Sequence, residues 1–127
     1  MKEKFRVWDK IGMKMCTVWS ILFYDDLILV DIYGLGDRKE DTLELGKECA
    51  LIRYTGLRDK NGEEGWEGDL RKYHGKIYKV VDESWRFVLE RNLVEFGENE
   101  DITIGEDVMF ESELIGTIFK NPELLKE

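Results

Sequence analysis

Short runs of β-prone residues recur along this chain, and they constrain the fold more than any other feature. Residues 13–24, 27–33 and 76–81 are rich in aromatic and β-branched side chains, which suit the pleated surface of a strand. Similar but shorter runs lie at 5–8, 43–45, 50–54, 102–104 and 114–119. The acidic pair Asp25-Asp26 lies between the first two long runs and predicts a hairpin there.

Glycine-containing turns divide these runs. The strongest local signal is Asn61-Gly62, because both residue types tolerate the positive φ that a two-residue type I′ hairpin turn requires at both positions. We therefore predict such a turn at Asn61-Gly62. The sequence around His74-Gly75 is read as a strand end or a turn.

Two segments have helical character. Residues 83–96 fit a strand by alternation, but their apolar residues also fit a helical stripe, so both structures remain open and the strand is preferred. At the other site, Asn121 suits a helix N-cap, Pro122 the first helical position and Glu123 the first turn. A short helical turn is expected there.

The pattern as a whole predicts a mainly β fold with little helix. A small barrel-like sheet or a highly curved antiparallel sheet would accommodate many short strands, and an α+β fold is the alternative. The 127 residues fit one domain. Since no repeat or low-complexity linker interrupts them, we expect a single domain over residues 1–127.

The charge is strongly acidic and unevenly placed. The net charge is −9; residues 1–82 hold 16 acids and 15 bases, whereas residues 83–127 hold 12 acids and 4 bases. Binding to nucleic acid rests on basic side chains that neutralise phosphates, so this composition argues against a nucleic-acid partner. An acidic surface is most often a solubility device, and otherwise it meets a basic partner.

The remaining composition points to a cytoplasmic protein. Cys16 and Cys49 are not in a Cys-x-x-Cys motif, and the first ten residues carry charges without an apolar run, so free thiols are expected. The longest apolar stretch, residues 21–33, is broken by three aspartates, so we expect no membrane span.

Three separated segments carry a family resemblance. Residues 5–9 read Phe-Arg-Val-Trp-Asp, residues 54–62 read Tyr-Thr-Gly-Leu-Arg-Asp-Lys-Asn-Gly with Glu-Gly-Asp at 67–69, and residues 114–125 read Leu-Ile-Gly-Thr-Ile-Phe-Lys-Asn-Pro-Glu-Leu-Leu. In order and spacing they resemble the YopX family of phage and prophage proteins. One departure is Gly65-Trp66, where that family usually has a pair such as Ile-Tyr. The resemblance implies a phage or prophage source, a cytoplasmic setting and a homo-oligomer, but no catalytic residue.

The central motif has two interpretations. Its glycines, turn residues and aspartates suit a fixed backbone path. The functional interpretation is an exposed polar patch that binds a partner, formed by Arg58, Asp59, Lys60, Glu67 and Asp69. Residues 53–79 hold 7 bases and 5 acids, so this part of one subunit is expected to face the acidic last third of another.

Signals for chemistry are weak. His74 is the single histidine and its partners are not evident, and Cys16, Cys49 and His74 are too scattered for a zinc site. We predict no catalytic residue, metal or cofactor. The preferred function is a homo-oligomeric interaction or assembly module that binds a phage or host protein. The alternatives are a nucleic-acid modulator, either a direct binder or an acidic DNA mimic, and an enzyme whose site would join Glu67, Asp69 and His74.

Overall fold

The computed structural model describes residues 5–34, 40–83, 86–93 and 98–125. Strand accounts for 62% of the structure and helix for 10%, which confirms the mainly β fold class. The strands form antiparallel sheets that do not close into a barrel, so of the two predicted forms the barrel is wrong. The chain divides into two compact units, Met1–Arg53 and Tyr54–Glu127. The expectation of a single domain remains a prediction.

The first unit is an antiparallel sheet. Its strands are β1 (Phe5–Asp9), β2 (Lys14–Phe23), β3 (Ile28–Gly34), β4 (Glu40–Glu44) and the first half of β5 (Cys49–Arg58), in the order β4-β3-β2-β1-β5. β2 and β3 form the hairpin predicted at Asp25-Asp26. One face of the sheet carries the core, made by the buried residues Val7, Cys16, Val30, Ile32, Leu43 and Cys49. Both cysteines are free, as the sequence predicted, and both are buried.

The second unit begins with the last half of β5, which pairs with β6 (Glu64–Trp66). A second antiparallel sheet contains β7 (Asp69–Tyr73), β8 (Lys76–Asp82), β9 (Phe87–Leu93), β10 (Glu98–Thr103) and β11 (Glu113–Thr117), in the order β10-β9-β8-β7-β11. Helix α1 (Glu106–Glu111) lies between β10 and β11, and a 3₁₀ turn spans Pro122–Leu125. The core here consists of Tyr78, Val80, Leu89, Ile104 and Met109.

The structure assigns part of the segment 83–96, for which the sequence left both a strand and a helix open. Residues 87–93 form the strand that alternation favoured, and they pair with β8 and β10. The other residues of that prediction at 84–85 and 94–96 lie outside the described residues. The helical turn at Pro122–Leu125 is confirmed as a 3₁₀ turn. Helix α1 was not predicted, because six residues are too few to display a helical period.

The type I′ prediction was made at the wrong hairpin. Gly62 has a φ of +78°, but the φ of Asn61 is not positive. Among the non-glycine residues of the described ranges, positive φ occurs at Met13 and His74. Tyr73 and Lys76 pair directly, and the two residues between them, His74 (φ +49°) and Gly75 (φ +79°), both have positive φ. The two-residue turn with the φ signs of type I′ is therefore at His74-Gly75. A longer loop closes the β5–β6 hairpin, and its geometry depends on Asp59.

Candidate partner-binding surface

The five residues of the predicted polar patch lie in different environments. Arg58 and Lys60 are exposed, and Glu67 is partly buried. Asp59 and Asp69 are buried, with relative exposures of 6% and 1%. The structure therefore brings the two basic side chains to the surface and turns the two aspartates inward.

Asp59 organises the loop between β5 and β6. Its Oδ1 accepts hydrogen bonds from the backbone N–H groups of Asn61 (2.8 Å) and Glu63 (3.1 Å), while its backbone carbonyl accepts one from Gly62 N–H (3.0 Å). These contacts hold a turn over residues 59–62 that ends on Gly62 in the left-handed region, as in three-residue hairpin loops. The competing side-chain hydrogen bonds explain why the two-residue turn does not form.

The second oxygen of Asp59 forms a buried ion pair with Arg71 on β7. Arg71 Nη1 lies 3.0 Å from Asp59 Oδ2, and the two side chains are 0% and 1% exposed. Burial raises the pKa of the Asp59 carboxyl, but the hydrogen bonds from Arg71 and the two loop amides, with the positive charge of Arg71, outweigh it. The pKa of Asp59 consequently lies below its ordinary value, and the side chain is ionised at neutral pH.

Arg71 also anchors the end of helix α1. Its Nη1 donates to the Ser112 carbonyl (3.3 Å) and to Ser112 Oγ (3.2 Å), and Ser112 Oγ donates to the Met109 carbonyl (2.9 Å). Arg71 Nη2 reaches the Glu64 carbonyl at 3.5 Å. One guanidinium thus fixes the 59–63 loop, strand β6 and the C-terminal end of α1. Sequence reasoning missed Arg71, because a lone arginine in a short strand normally indicates a solvated position.

The Glu-Gly-Asp segment builds a turn. Asp69 Oδ2 accepts the backbone N–H of Trp66 (2.8 Å), and Gly68 has a φ of +85°. A Cβ atom on Gly68 would also lie 2.7 Å from the Phe119 ring. Both the positive φ and the close approach of Phe119 require glycine at position 68. Gly68 and the Asp69–Trp66 hydrogen bond together form the turn that leads into β7.

An open depression of about 380 Å³ lies beside the loop. We call it the Arg58–Phe110 face and define it by its lining residues Tyr54, Gly56, Leu57, Arg58, Glu106 and Phe110. Phe110 is 57% exposed, unusually high for a large aromatic residue. The backbone N–H of Lys60 donates to the Phe110 carbonyl (3.3 Å), so the loop and the helix meet at this face.

The Arg58–Phe110 face carries opposite charges around its apolar residues. Arg58 is exposed. Its Nη1 donates to the Gly62 carbonyl (2.9 Å), and its Nη2 lies 3.5 Å from Glu64 Oε2. Glu106, in the first turn of α1, is exposed as well. A surface with both charges and an aromatic residue is suited to protein contact.

The residues of the enzyme alternative lie in unlike environments. Asp69 is buried and bonded to a backbone amide, while His74 is exposed at the β7–β8 turn, with Nε2 3.5 Å from Glu111 Oε2. In the described ranges, no three His, Cys, Asp or Glu side chains cluster in a way that could hold a metal ion. The helices found there are too short and polar to cross a membrane.

Comparison with known proteins identifies the family. The family model described as YopX protein matches residues 4–126. The chain belongs to the YopX family. Among solved structures, protein EF1440 from Enterococcus faecalis resembles this YopX-family chain with a TM-score of 0.64 and 24% sequence identity, over 99% of each chain. This likeness shows a shared fold. No curated protein matches the sequence.

The residues of the central YopX signature form two groups, one at the surface depression and one in the backbone turns behind it. Tyr54, Gly56, Leu57 and Arg58 line the depression, whereas Asp59, Gly62, Gly68 and Asp69 shape the backbone behind it. The departure at Gly65-Trp66 also has a packing consequence. A Cβ atom on Gly65 would lie 2.4 Å from Met109 Cε, so the missing side chain lets α1 approach β6 closely.

Proposed function

We propose that this YopX-family chain is a protein-interaction module that self-associates through its Arg58–Phe110 face. The observation that carries the proposal is the exposed Phe110 in a depression lined by one cation, Arg58, and one anion, Glu106. Aromatic residues and arginine are the residue types that dominate protein interfaces. The partner proposed for this face is a second copy of the chain.

Self-complementary charge favours that partner. In a two-fold pair, any contact from residue i to residue j is repeated from j to i. A face with Arg58 on one side and Glu106 on the other can therefore place each arginine against the glutamate of the other copy, with the two Phe110 rings between them. Two opposite-charge contacts then form from a single pair of residues.

A rigid support makes the contact favourable. The buried Arg71–Asp59 ion pair and the Arg71–Ser112 hydrogen bonds fix the loop that follows Arg58 and the helix that bears Phe110. A surface ordered before binding loses less conformational entropy when it binds. The buried network around Arg71 therefore orders the exposed residues of the Arg58–Phe110 face before a partner binds.

The proposal includes the wider setting implied by the family resemblance. We infer a phage or prophage source, a cytoplasmic location and a phage or host protein as a further partner. Residues 83–127 hold 12 acids against 4 bases, and Glu106 is one of these acids. In this proposal they attract the basic Arg58 and Lys60 of another copy. The nucleic-acid and enzyme alternatives have no comparable observation among the described residues.

Charge reversal tests the self-contact. The wild-type protein is expected to have the mass of two 15.0 kDa chains in size-exclusion chromatography with light scattering. Arg58→Glu and Glu106→Arg each place like charges together in the two-fold pair, so each single variant should be monomeric. The double variant restores opposite charges and should dimerise again. High salt should weaken the wild-type dimer, because exposed ion pairs are screened.

Matched charge changes outside the face provide the controls. Lys72→Glu and Glu123→Arg alter exposed charges in the same unit by the same amounts, and both variants should remain dimeric. Thermal melts would confirm that every variant is folded. A wild-type protein that is monomeric at every concentration contradicts the proposal, and so does a folded double variant that stays monomeric.

A further inference from the structure

A second surface with a defined composition lies on the first unit. In the sheet, Asp31 on β3 pairs with Ser20 on β2 and with Thr42 on β4. Its neighbours Val30 and Ile32 belong to the core, so alternation along the strand puts Asp31 on the opposite, outer face. The cross-strand partners Ser20 and Thr42 share that face.

A β-bulge adds an aromatic residue to this row. Val18 pairs with Ile32 and Ser20 with Asp31, so the register shifts at Trp19, which is one extra residue in β2. Such a bulge changes the direction of side chains. Here it places Trp19 on the outer face next to Ser20, and the indole is 53% exposed.

These residues enclose an open depression of about 370 Å³, which we call the Trp19–Asp31 depression. Its lining residues are Trp19, Asp31, Asp41 and Thr42. Asp31 is held by two short hydrogen bonds, from Ser20 Oγ to its Oδ2 and from Thr42 Oγ1 to its Oδ1, both 2.6 Å. Asp41 Oδ1 accepts the backbone N–H of Thr42 (2.8 Å).

The carboxylate of Asp31 is fixed in its charged form. The hydrogen bond from Ser20 and that from Thr42 lower the pKa of Asp31 below its ordinary value and outweigh the effect of burial. A carboxylate has about four lone-pair sites, so two hydroxyl donors leave others for a ligand. The side chain is thus an ordered, ionised acceptor next to an exposed indole.

We propose that the Trp19–Asp31 depression binds a basic side chain, an arginine or a lysine, of a partner protein. The charge complementarity is direct, since two of the four described lining residues are acids and none of the four is a base. A guanidinium stacks on an indole face and donates hydrogen bonds to a carboxylate in the same pose. Arginine fits best, because its planar group makes both contacts together.

This surface is separate from the proposed self-contact. All of its residues belong to the unit Met1–Arg53, whereas the Arg58–Phe110 face belongs to Tyr54–Glu127. A chain that failed to self-associate would still bind a basic side chain here. The two proposals therefore fail independently.

The test uses two capped pentapeptides, Gly-Gly-Arg-Gly-Gly and the same peptide with citrulline at its centre. Citrulline has nearly the same shape as arginine but no charge. The full chain labelled with ¹⁵N is titrated with each, and the indole N–H signal of Trp19 is followed by NMR. The arginine peptide should cause a saturable shift, and the citrulline peptide should bind at least about five-fold more weakly.

Two variants and one control locate the binding. Asp31→Asn keeps the shape of the side chain and removes its charge, so it should weaken binding of the arginine peptide about three- to ten-fold. Trp19→Leu removes the ring and should weaken binding about two- to five-fold, measured on backbone signals of β2 and β3. Asp25→Asn removes an equal charge at the exposed β2–β3 turn and should leave the affinity unchanged.

Several results would overturn the proposal. Equal binding of the arginine and citrulline peptides would show that charge is not recognised. An absence of any shift with the arginine peptide would contradict it directly. A neutral sugar such as cellohexaose that shifts the Trp19 signal when the arginine peptide does not would assign the depression to carbohydrate instead.

Discussion

Arg71 and Asp59 form an ion pair with Nη1 and Oδ2 3.0 Å apart and with both side chains almost completely buried. The pair joins β7 to the loop that closes the β5–β6 hairpin, and Ser112 extends it to the end of α1. Removing a charge from water is costly, and the cost is recovered only when the partner is present. Loss of either residue therefore leaves an uncompensated charge inside the second unit.

Replacing Arg71 with methionine should cause a large loss of stability. Arg71→Met keeps an apolar stem but leaves the Asp59 carboxylate buried without its cation, so we expect the free energy of unfolding to fall by about 3–5 kcal/mol. Equilibrium denaturation measures this loss. Arg86→Met is the matched control, because Arg86 Nε and Glu83 Oε1 are also 3.0 Å apart but about one-third exposed. That change should cost less than ~1 kcal/mol.

A double variant separates the buried charge from the shape of the site. Asn at position 59 keeps an oxygen for the amides of Asn61 and Glu63 but carries no charge. Arg71→Met with Asp59→Asn should therefore be more stable than Arg71→Met alone. A double variant that is as unstable as the sum of the two single variants would show that packing, and not the unpaired charge, dominates.

The same ion pair predicts how stability depends on pH. The pKa of Asp59 is lower in the folded chain than its unfolded value of ~3.9. Between these two pKa values the unfolded state binds the extra proton, so the pair's contribution is complete above the unfolded pKa and is lost as the pH falls through the folded value. Denaturation measured from pH 6 downward should show a loss below about pH 4 that is smaller in the Arg71→Met, Asp59→Asn double variant. Identical pH profiles would contradict the prediction.

The β7–β8 turn offers a stabilising change. His74 adopts a φ of +49°, and the left-handed region costs most L-residues about 1–2 kcal/mol, whereas asparagine adopts it readily. His74→Asn should raise the free energy of unfolding by about 0.5–1 kcal/mol, since Asn-Gly is the preferred type I′ pair. The substitution loses the exposed contact to Glu111 at 3.5 Å, which contributes little, and the stacking of the imidazole on the Tyr73 ring, with centroids 4.1 Å apart, so the expected gain is smaller than the cost of the positive φ. Asn61→His is the reciprocal control and should change stability little, because Asn61 lacks positive φ.

Many of the strands, and the family, could be predicted from the sequence because both depend on local signals, whereas β6 and β7 were not among the predicted runs. Aromatic and β-branched runs located β2, β3 and β8, alternation favoured a strand over a helix at β9, and Asp25-Asp26 located a hairpin. The turn at Asn61-Gly62 was mispredicted because the Asp59 side chain binds the loop amides, a competition that the dipeptide alone does not reveal. Similarly, the bulge at Trp19 depends on pairing with β3.

The candidate site was only partly predictable. The signature residues 54–69 directed attention to the loop beside the proposed face, and Arg58 and Lys60 are exposed there. Burial of Asp59 depends on Arg71, twelve residues further along the chain, and the face is completed by Phe110 on an unpredicted helix. Such long-range contacts leave no period or spacing in the sequence, so neither Arg71 nor Phe110 could be assigned to the site before the fold was known.

The acidic strand β10 supplies the last prediction. Asp101 lies directly opposite Glu90 on β9, and Glu90 also lies 3.3 Å from Lys79 on β8. Asp101 is exposed, but desolvation by the neighbouring residues raises its pKa, and the negative charges of Glu90 and Glu83 raise it further. Like charges in directly opposed positions destabilise a sheet. Asp101→Asn should therefore stabilise the chain at pH 7 by about 0.2–1 kcal/mol in equilibrium denaturation.

The control and the pH dependence of Asp101→Asn distinguish local repulsion from overall charge. Asp107→Asn removes an equal charge from the same acidic region but from the first turn of α1, where an acid is favourable, so it should not stabilise. Because the folded pKa of Asp101 is raised, the wild-type penalty is complete above that pKa and disappears as the pH falls toward the unfolded value. The advantage of Asp101→Asn should vanish in acid. Equal stabilisation by both substitutions would mean that the net charge, and not the Asp101–Glu90 pair, limits stability.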